Sequence, residues 1–148
     1  MIFAQEYQES MLNQSARSPG GAVGIMQIKP EIAAAPPISI LDVFTAENNI
    51  HAGVKLLHHI ADAYFDDPKI DPVNRLLLTF AAYNAGPTRI ADLRKRAPAQ
   101  GLDPNKWFGN VELLVARDIG QVTVQYVSNI YKYYVAYKLV VDQGEPLS

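Results

Sequence analysis

Apolar residues recur at helical intervals through most of this chain, and glycine or proline stands where the interval breaks. The stretch from Ile2 to Asn13 contains neither and spaces Phe3, Tyr7 and Met11 one turn apart, which predicts a helix. Beyond Thr45, a ready N-cap, Ile50, Val54, Leu57, Ala61 and Tyr64 form the apolar stripe of a second helix that ends near Asp66-Asp67-Pro68. Asp71-Pro72 offers an N-cap followed by proline at the first helical position. Val73 to Tyr83 is then nearly all apolar, as expected of a central buried helix. Gly86 marks its end, and Pro87 opens another helix running through Leu93. Two more are predicted over 111–119 and 123–141, the second carrying Tyr126, Ile130, Tyr133, Tyr137 and Val140 along one side.

The interruptions are as informative as the helices. Between Ser18 and Ile28, Pro19, Gly20, Gly21 and Gly24 break the period, while Val23, Ile25 and Ile28 suit short extended pieces, so a small β-hairpin is expected. Ala33 to Pro37 reads as a loop, as does Pro98 to Asn110, which holds the only tryptophan, Trp107. A tail closes the chain over 142–148. Neither an internal repeat nor a linker divides it, so the expectation is one domain over 1–148, mainly α, a compact helical array with a small β-hairpin element. The few residues before Glu9 leave its helix short at the start, as expected of a piece of a longer protein.

Composition narrows the function. With 49% hydrophobic and 19% charged residues in 148, the chain can bury a core. A net charge of -2 argues against nucleic acid as a partner, which calls for a basic surface. Arg89, Arg94, Lys95 and Arg96 read as the wet face of a short helix. There is no cysteine, hence no disulfide, thiolate chemistry, zinc-cysteine site or lipid-anchor Cys. No apolar stretch has membrane-spanning length, and the start lacks the features of a signal peptide. His51, His58 and His59 have no metal spacing, and Asp66, Asp67 and Asp71 fail the calcium-loop pattern, so no metal or cofactor is expected.

Candidate chemistry rests on Glu9. Cleavage of a sugar bond needs a carboxylic acid to protonate the leaving oxygen, and apolar neighbours such as Tyr7 and Val23-Ile25-Met26 raise the pKa of such a group by desolvation. No second acid occurs between Glu9 and Glu31, where a two-carboxylate glycosidase would need one nearby. Tyr83-Asn84 places a hydroxyl and an amide at a helix end, a pairing suited to an N-acetyl sugar. Taken alone, Glu9 reads as a solvated helix charge, Ala82 to Pro87 as a capped terminus and the C-terminal tyrosines as core.

The motifs together go further. Glu9-Ser10, Ser18-Pro19 to Gly24-Ile25-Met26-Gln27-Ile28-Lys29-Pro30, Asn49-Ile50-His51-Ala52-Gly53, Ala82 to Pro87 and Tyr126-Val127-Ser128-Asn129-Ile130 come in the order of the soluble-lytic-transglycosylase catalytic domain. The chain resembles most the membrane-bound lytic murein transglycosylase F group, over about Ala4 to Tyr137. The resemblance implies a lysozyme-like α+β fold with the hairpin lining the cleft. It also implies cleavage of the β-1,4 bond between N-acetylmuramic acid and N-acetylglucosamine in peptidoglycan, without cofactor. By position, Glu9 is the sole catalytic acid and then base, Ser18 and Tyr83 contact the N-acetyl group, Met26 and Gln27 line the cleft, Asn84 holds the helix end, and Tyr126 joins the substrate-binding set. A monomer acting on glycan strands in the bacterial cell envelope, periplasmic or outer-membrane associated, is the implied setting. A water-using muramidase and an inactive peptidoglycan-binding module are the alternatives. Two positions depart from the family's pattern: Lys29 stands where Met is usual, altering a subsite or forming a salt bridge, and Val122 where a Glu commonly precedes Thr123.

Overall fold

Seven α-helices occur among the described residues of the computed structural model, which are 1–142: α1 Ile2–Ser10, α2 Pro30–Ala34, α3 Ala46–Tyr64, α4 Pro72–Ala85, α5 Pro87–Arg96, α6 Glu112–Asp118 and α7 Gln121–Asp142. The class is mainly α. Of the expected tail, Asp142 still belongs to α7, and 143–148 lie outside the described residues. Packing divides the chain into two units, the first made of Met1–Val54 with the described part of Ser128–Ser148, the second of Lys55–Val127.

In the first unit, α1 stops at Ser10 rather than Asn13 because Met11 and Leu12 turn left-handed, at φ 52° and 63°. The expected hairpin is not present. Arg17 to Ile28 holds only two isolated antiparallel bridges, Arg17 with Val23 and Val23 with Ile28. The reason lies in the backbone: Gly21, Gly24 and Gln27 all have positive φ, at 89°, 76° and 47°, so the chain turns every three residues and no ladder extends. Tight turns from Gly21 N–H to the Ser18 carbonyl and from Gln27 N–H to the Gly24 carbonyl take up backbone groups that a hairpin would pair. Pro30, at the first helical position, opens α2, a helix not expected from sequence, which overlaps the expected loop at Ala33 and Ala34. α3 does start beyond Thr45, whose hydroxyl accepts from Asn48 N–H. Its buried face runs through Asn49, Ala52, Leu57, Ile60 and Ala61, rotated from the predicted stripe so that Tyr64 is exposed.

The second unit is built on α4. Asp71 caps it by accepting from Asn74 N–H at 2.9 Å, Pro72 is the first helical residue, and Leu77 to Ala82 are all buried. Gly86, at φ 102°, ends α4 where a side chain would be strained, and Pro87 starts α5, whose Ile90 and Leu93 face the core. Trp107 is fully buried at the irregular turn Trp107–Val111, so the long loop over 98–110 is anchored by the largest side chain in the chain. Arg94 spans that loop, donating to Asp67 at 2.8 Å, to Asn105 at 2.6 Å and to the Pro104 carbonyl at 2.9 Å.

Candidate active site

Glu9 lies in the last turn of α1 and is half-buried. The next residue ties this turn to the glycine-rich segment: Ser10 Oγ donates to the Ile25 carbonyl at 3.0 Å and accepts from Asn13 N–H at 3.1 Å. One turn earlier, the Tyr7 ring stands edge-on to Tyr133 at 5.0 Å. Burial pushes the carboxyl of Glu6 above its ordinary value.

The segment facing Ser10 is held by amide side chains. Asn49 is fully buried and satisfied three times, its Oδ1 accepting from Met26 N–H at 2.7 Å and its Nδ2 donating to the carbonyls of Val23 at 2.8 Å and Val43 at 3.0 Å. Gln14 accepts from Ile25 N–H at 3.2 Å. Gln27 Nε2 donates to the carbonyls of Gly24 at 2.8 Å and Ala16 at 3.3 Å. Ser18 Oγ accepts from Ala22 N–H at 2.9 Å. The glycines are the steric counterpart of this net. A Cβ on Gly24 would come within 2.7 Å of Gln14 and Asn49, and one on Gly53 would strike the fully buried Met26. Glycine at 24 and 53 is therefore what lets the amides and the methionine close in.

In the second unit, Tyr83 is half-buried and Asn84 exposed in the last turn of α4. Asn84 Oδ1 accepts from the hydroxyl of Thr123 at 2.8 Å, joining the end of α4 to the first turn of α7. Tyr126, one turn on, is 5% exposed. Val122 is exposed instead, and so is Lys29, which makes no ion pair among the described residues. No group of three metal-ligating side chains occurs among the described residues.

Glu9, Ser18, Met26 and Gln27 thus fall in the first unit, and Tyr83, Asn84 and Tyr126 in the second. Within each unit the structure adds residues that the sequence reading assigned no role: Ser10, Gln14 and Asn49 in the first, Thr123 in the second. Asn49 carried a signal, as a polar residue where α3 turns inward, but its partners in the glycine-rich segment lie 23 and 26 residues away in sequence.

Comparison with known proteins decides the ancestry. The family described as the transglycosylase SLT domain matches residues 1–105. The chain belongs to the transglycosylase SLT domain family. Proteins called membrane-bound lytic murein transglycosylase F are similar along most of it. The one from Desulfosudis oleivorans is 35% identical over 90% of this chain and 32% of its own length. Those from Pseudoalteromonas translucida and Shewanella woodyi are 33% and 34% identical over 92% and 90% of this chain. This SLT chain spans about a third of the length of these relatives. None of its described helices is long and apolar enough to cross a membrane.

Proposed function

We propose that residues 1–148 act as one lysozyme-like catalytic domain, a peptidoglycan lytic transglycosylase that cleaves the β-1,4 bond between N-acetylmuramic acid and N-acetylglucosamine. The observation that carries this reading is Glu9, half-buried on a helix end that Ser10 pins to the glycine-rich segment, in a chain of the SLT family. Protonated Glu9 delivers its proton to the glycosidic oxygen as the bond to the muramoyl C1 breaks. The resulting carboxylate then accepts the proton of the C6 hydroxyl while that oxygen bonds to C1. The 1,6-anhydro ring closes with no water consumed, and the acid is regenerated. A nucleophile already in the same ring has the advantage of proximity over a water that must be held and activated.

The other roles follow from donors and acceptors. Ser18 Oγ accepts from Ala22 and keeps its proton to give to an N-acetyl carbonyl, and Gln27, with Nε2 engaged, offers Oε1 to a sugar N–H or hydroxyl. Buried Met26 backs the wall that carries Gln27. Tyr83 meets the N-acetyl group, Asn84 is held by Thr123 beside neighbouring substrate groups, and Tyr126 supports that position. The setting is the bacterial cell envelope, with glycan strands as partner and the protein monomeric.

Mass spectrometry of muropeptides after digestion of purified peptidoglycan tests the reading. Products ending in 1,6-anhydro-N-acetylmuramic acid, one water lighter than hydrolysis products and resistant to borohydride, are expected. Reducible ends would make the protein a muramidase, and no digestion by folded protein would make it a binding module.

A further inference from the structure

We propose that Phe44 and Arg17 form a further sugar subsite beside Gln27, in which the phenyl ring takes the C–H face of a pyranose and the guanidinium donates to its oxygens. The proposal rests on the glycan-cleaving reading above. Isolated exposed apolar residues are common and by themselves mean little. Phe44 differs because it is 56% exposed on a backbone that is fixed on both sides. Val43 is fully buried, and its carbonyl accepts from Asn49 Nδ2 at 3.0 Å and from Gln14 Nε2 at 3.4 Å. The Phe44 carbonyl accepts from the same Gln14 Nε2 at 3.1 Å, and its N–H donates to the Asp42 carboxylate at 2.9 Å. Gln14 Oε1 meanwhile accepts from Ile25 N–H, so a single amide couples the phenylalanine to the glycine-rich segment.

Arg17 completes the surface. Its guanidinium carbon lies 5.5 Å from the Phe44 ring centroid, and its Nη1 donates to the carbonyls of Gln14 at 3.0 Å and Ala16 at 2.8 Å. The Ala16 carbonyl also accepts from Gln27 Nε2 and from Gly24 N–H. Arg17 and Gln27 therefore share one acceptor, which sets the guanidinium beside the amide proposed to meet the glycan. A pyranose presents an apolar C–H face ringed by hydroxyls. With the guanidinium over one face of the ring, the exposed remainder of the ring and the donors beside it match that pattern, and the fixed backbone limits the freedom lost on binding.

The test is an NMR titration of the Glu9→Gln chain, in which strands stay intact, with soluble peptide-free glycan strands. The Phe44 ring and Arg17 side-chain signals should shift. Adding Phe44→Ala should weaken Kd roughly 3- to 10-fold with the melting temperature little changed, and Phe44→Trp should restore it. An unchanged Kd in the folded Phe44→Ala protein, or Phe44 signals that stay still at saturating glycan, would overturn the subsite. Failure of the cleavage reading shows separately, as wild-type digests without anhydro ends while the Phe44 signals still shift.

Discussion

Two irregular segments of similar length are held in opposite ways. Ser18 to Ile28 in the first unit is fastened by uncharged groups: the Ser10 hydroxyl and the amides of Gln14, Gln27 and Asn49. The segment over 98–111 in the second unit is fastened through charge. Arg94 bridges Asp67 and Asn105, and Asp71 holds Asn74, whose Oδ1 accepts from Trp107 N–H at 2.8 Å. Amides and hydroxyls do not titrate near neutral pH and are little screened by salt, whereas ion pairs within reach of solvent, such as partly buried Arg94–Asp67, respond to both, though less than fully exposed ones. A segment beside an acid proposed to gain and lose a proton keeps its shape most simply if nothing else in its frame does so. The second segment has no such constraint.

The largest expected effect comes from separating the acid from its frame. Glu9→Gln keeps the side-chain volume and leaves the Ser10 and Asn49 bonds intact. It should lower turnover of peptidoglycan by roughly 10²- to 10⁴-fold with little change in melting temperature. Substantial residual turnover would move the acid elsewhere, with Glu6 the first alternative.

Next come the two fasteners. Asn49→Ala would strip the Met26 N–H and the Val23 and Val43 carbonyls of their Asn49 partner and leave a hole in a dry interior, although Val23 keeps Ile28 N–H and Val43 keeps Gln14 Nε2. A loss of roughly 2 kcal/mol or more is expected. Arg94→Met removes charge-assisted bonds to partners near solvent, and about 1 kcal/mol is expected, shrinking as salt is added. Urea denaturation of both variants at low and high ionic strength is the measurement. Equal losses with equal salt dependence would erase the contrast between the segments.

Acid should split them further. The Lys69 N–H, and then Arg94, hold Asp67 below the usual carboxylate range, the Asn74 backbone and side chain do the same for Asp71, and Arg117, then Arg96, for Asp118. For each, the unfolded chain binds more protons between the two pKa values. The contribution is therefore full above the ordinary value near 3.8 and lost as pH falls through the folded one. Glu6, raised by burial, runs the other way: its contribution is present below its ordinary 4.5 and lost as pH rises through the folded value. Taking the pH from 6 to 3 should cost protection at Trp107 N–H and spare Met26 N–H, read by hydrogen exchange corrected for intrinsic rates. Equal losses at the two amides would contradict this.

The same contrast decides what was legible in the sequence. Helices α4 and α5 were, because Asp71-Pro72 and Gly86-Pro87 are local signals read within a turn. The shape of Ser18 to Ile28 was not, since it depends on Asn49 and on Gln27 adopting positive φ, and no neighbouring residue encodes either. Extended propensity at Val23, Ile25 and Ile28 pointed to a hairpin, but tertiary hydrogen bonds override it. For the proposed site, the residue types came from the family's motifs. The frame around them was not legible, because the partners of Ser10, Gln14 and Asn49 within the glycine-rich segment are 11 to 26 residues away.

The smallest effect is expected at Val122, the second residue of α7 and 79% exposed. The first turn of α7 carries no acidic residue, so Val122→Glu places a negative charge at the positive end of a helix dipole without burying it. A gain of about 0.3–1 kcal/mol is expected, fading with salt, and activity should not fall, since Glu is the family's usual residue before Thr123. The substitution adds one more charge to the unit already fastened by charges, and the first unit should not respond. Thermal melts at two salt concentrations measure the gain. A lower melting temperature would mean that the new carboxylate competes for the Thr123 hydroxyl and breaks its 2.8 Å bond to Asn84, making that bond the more important of the two interactions.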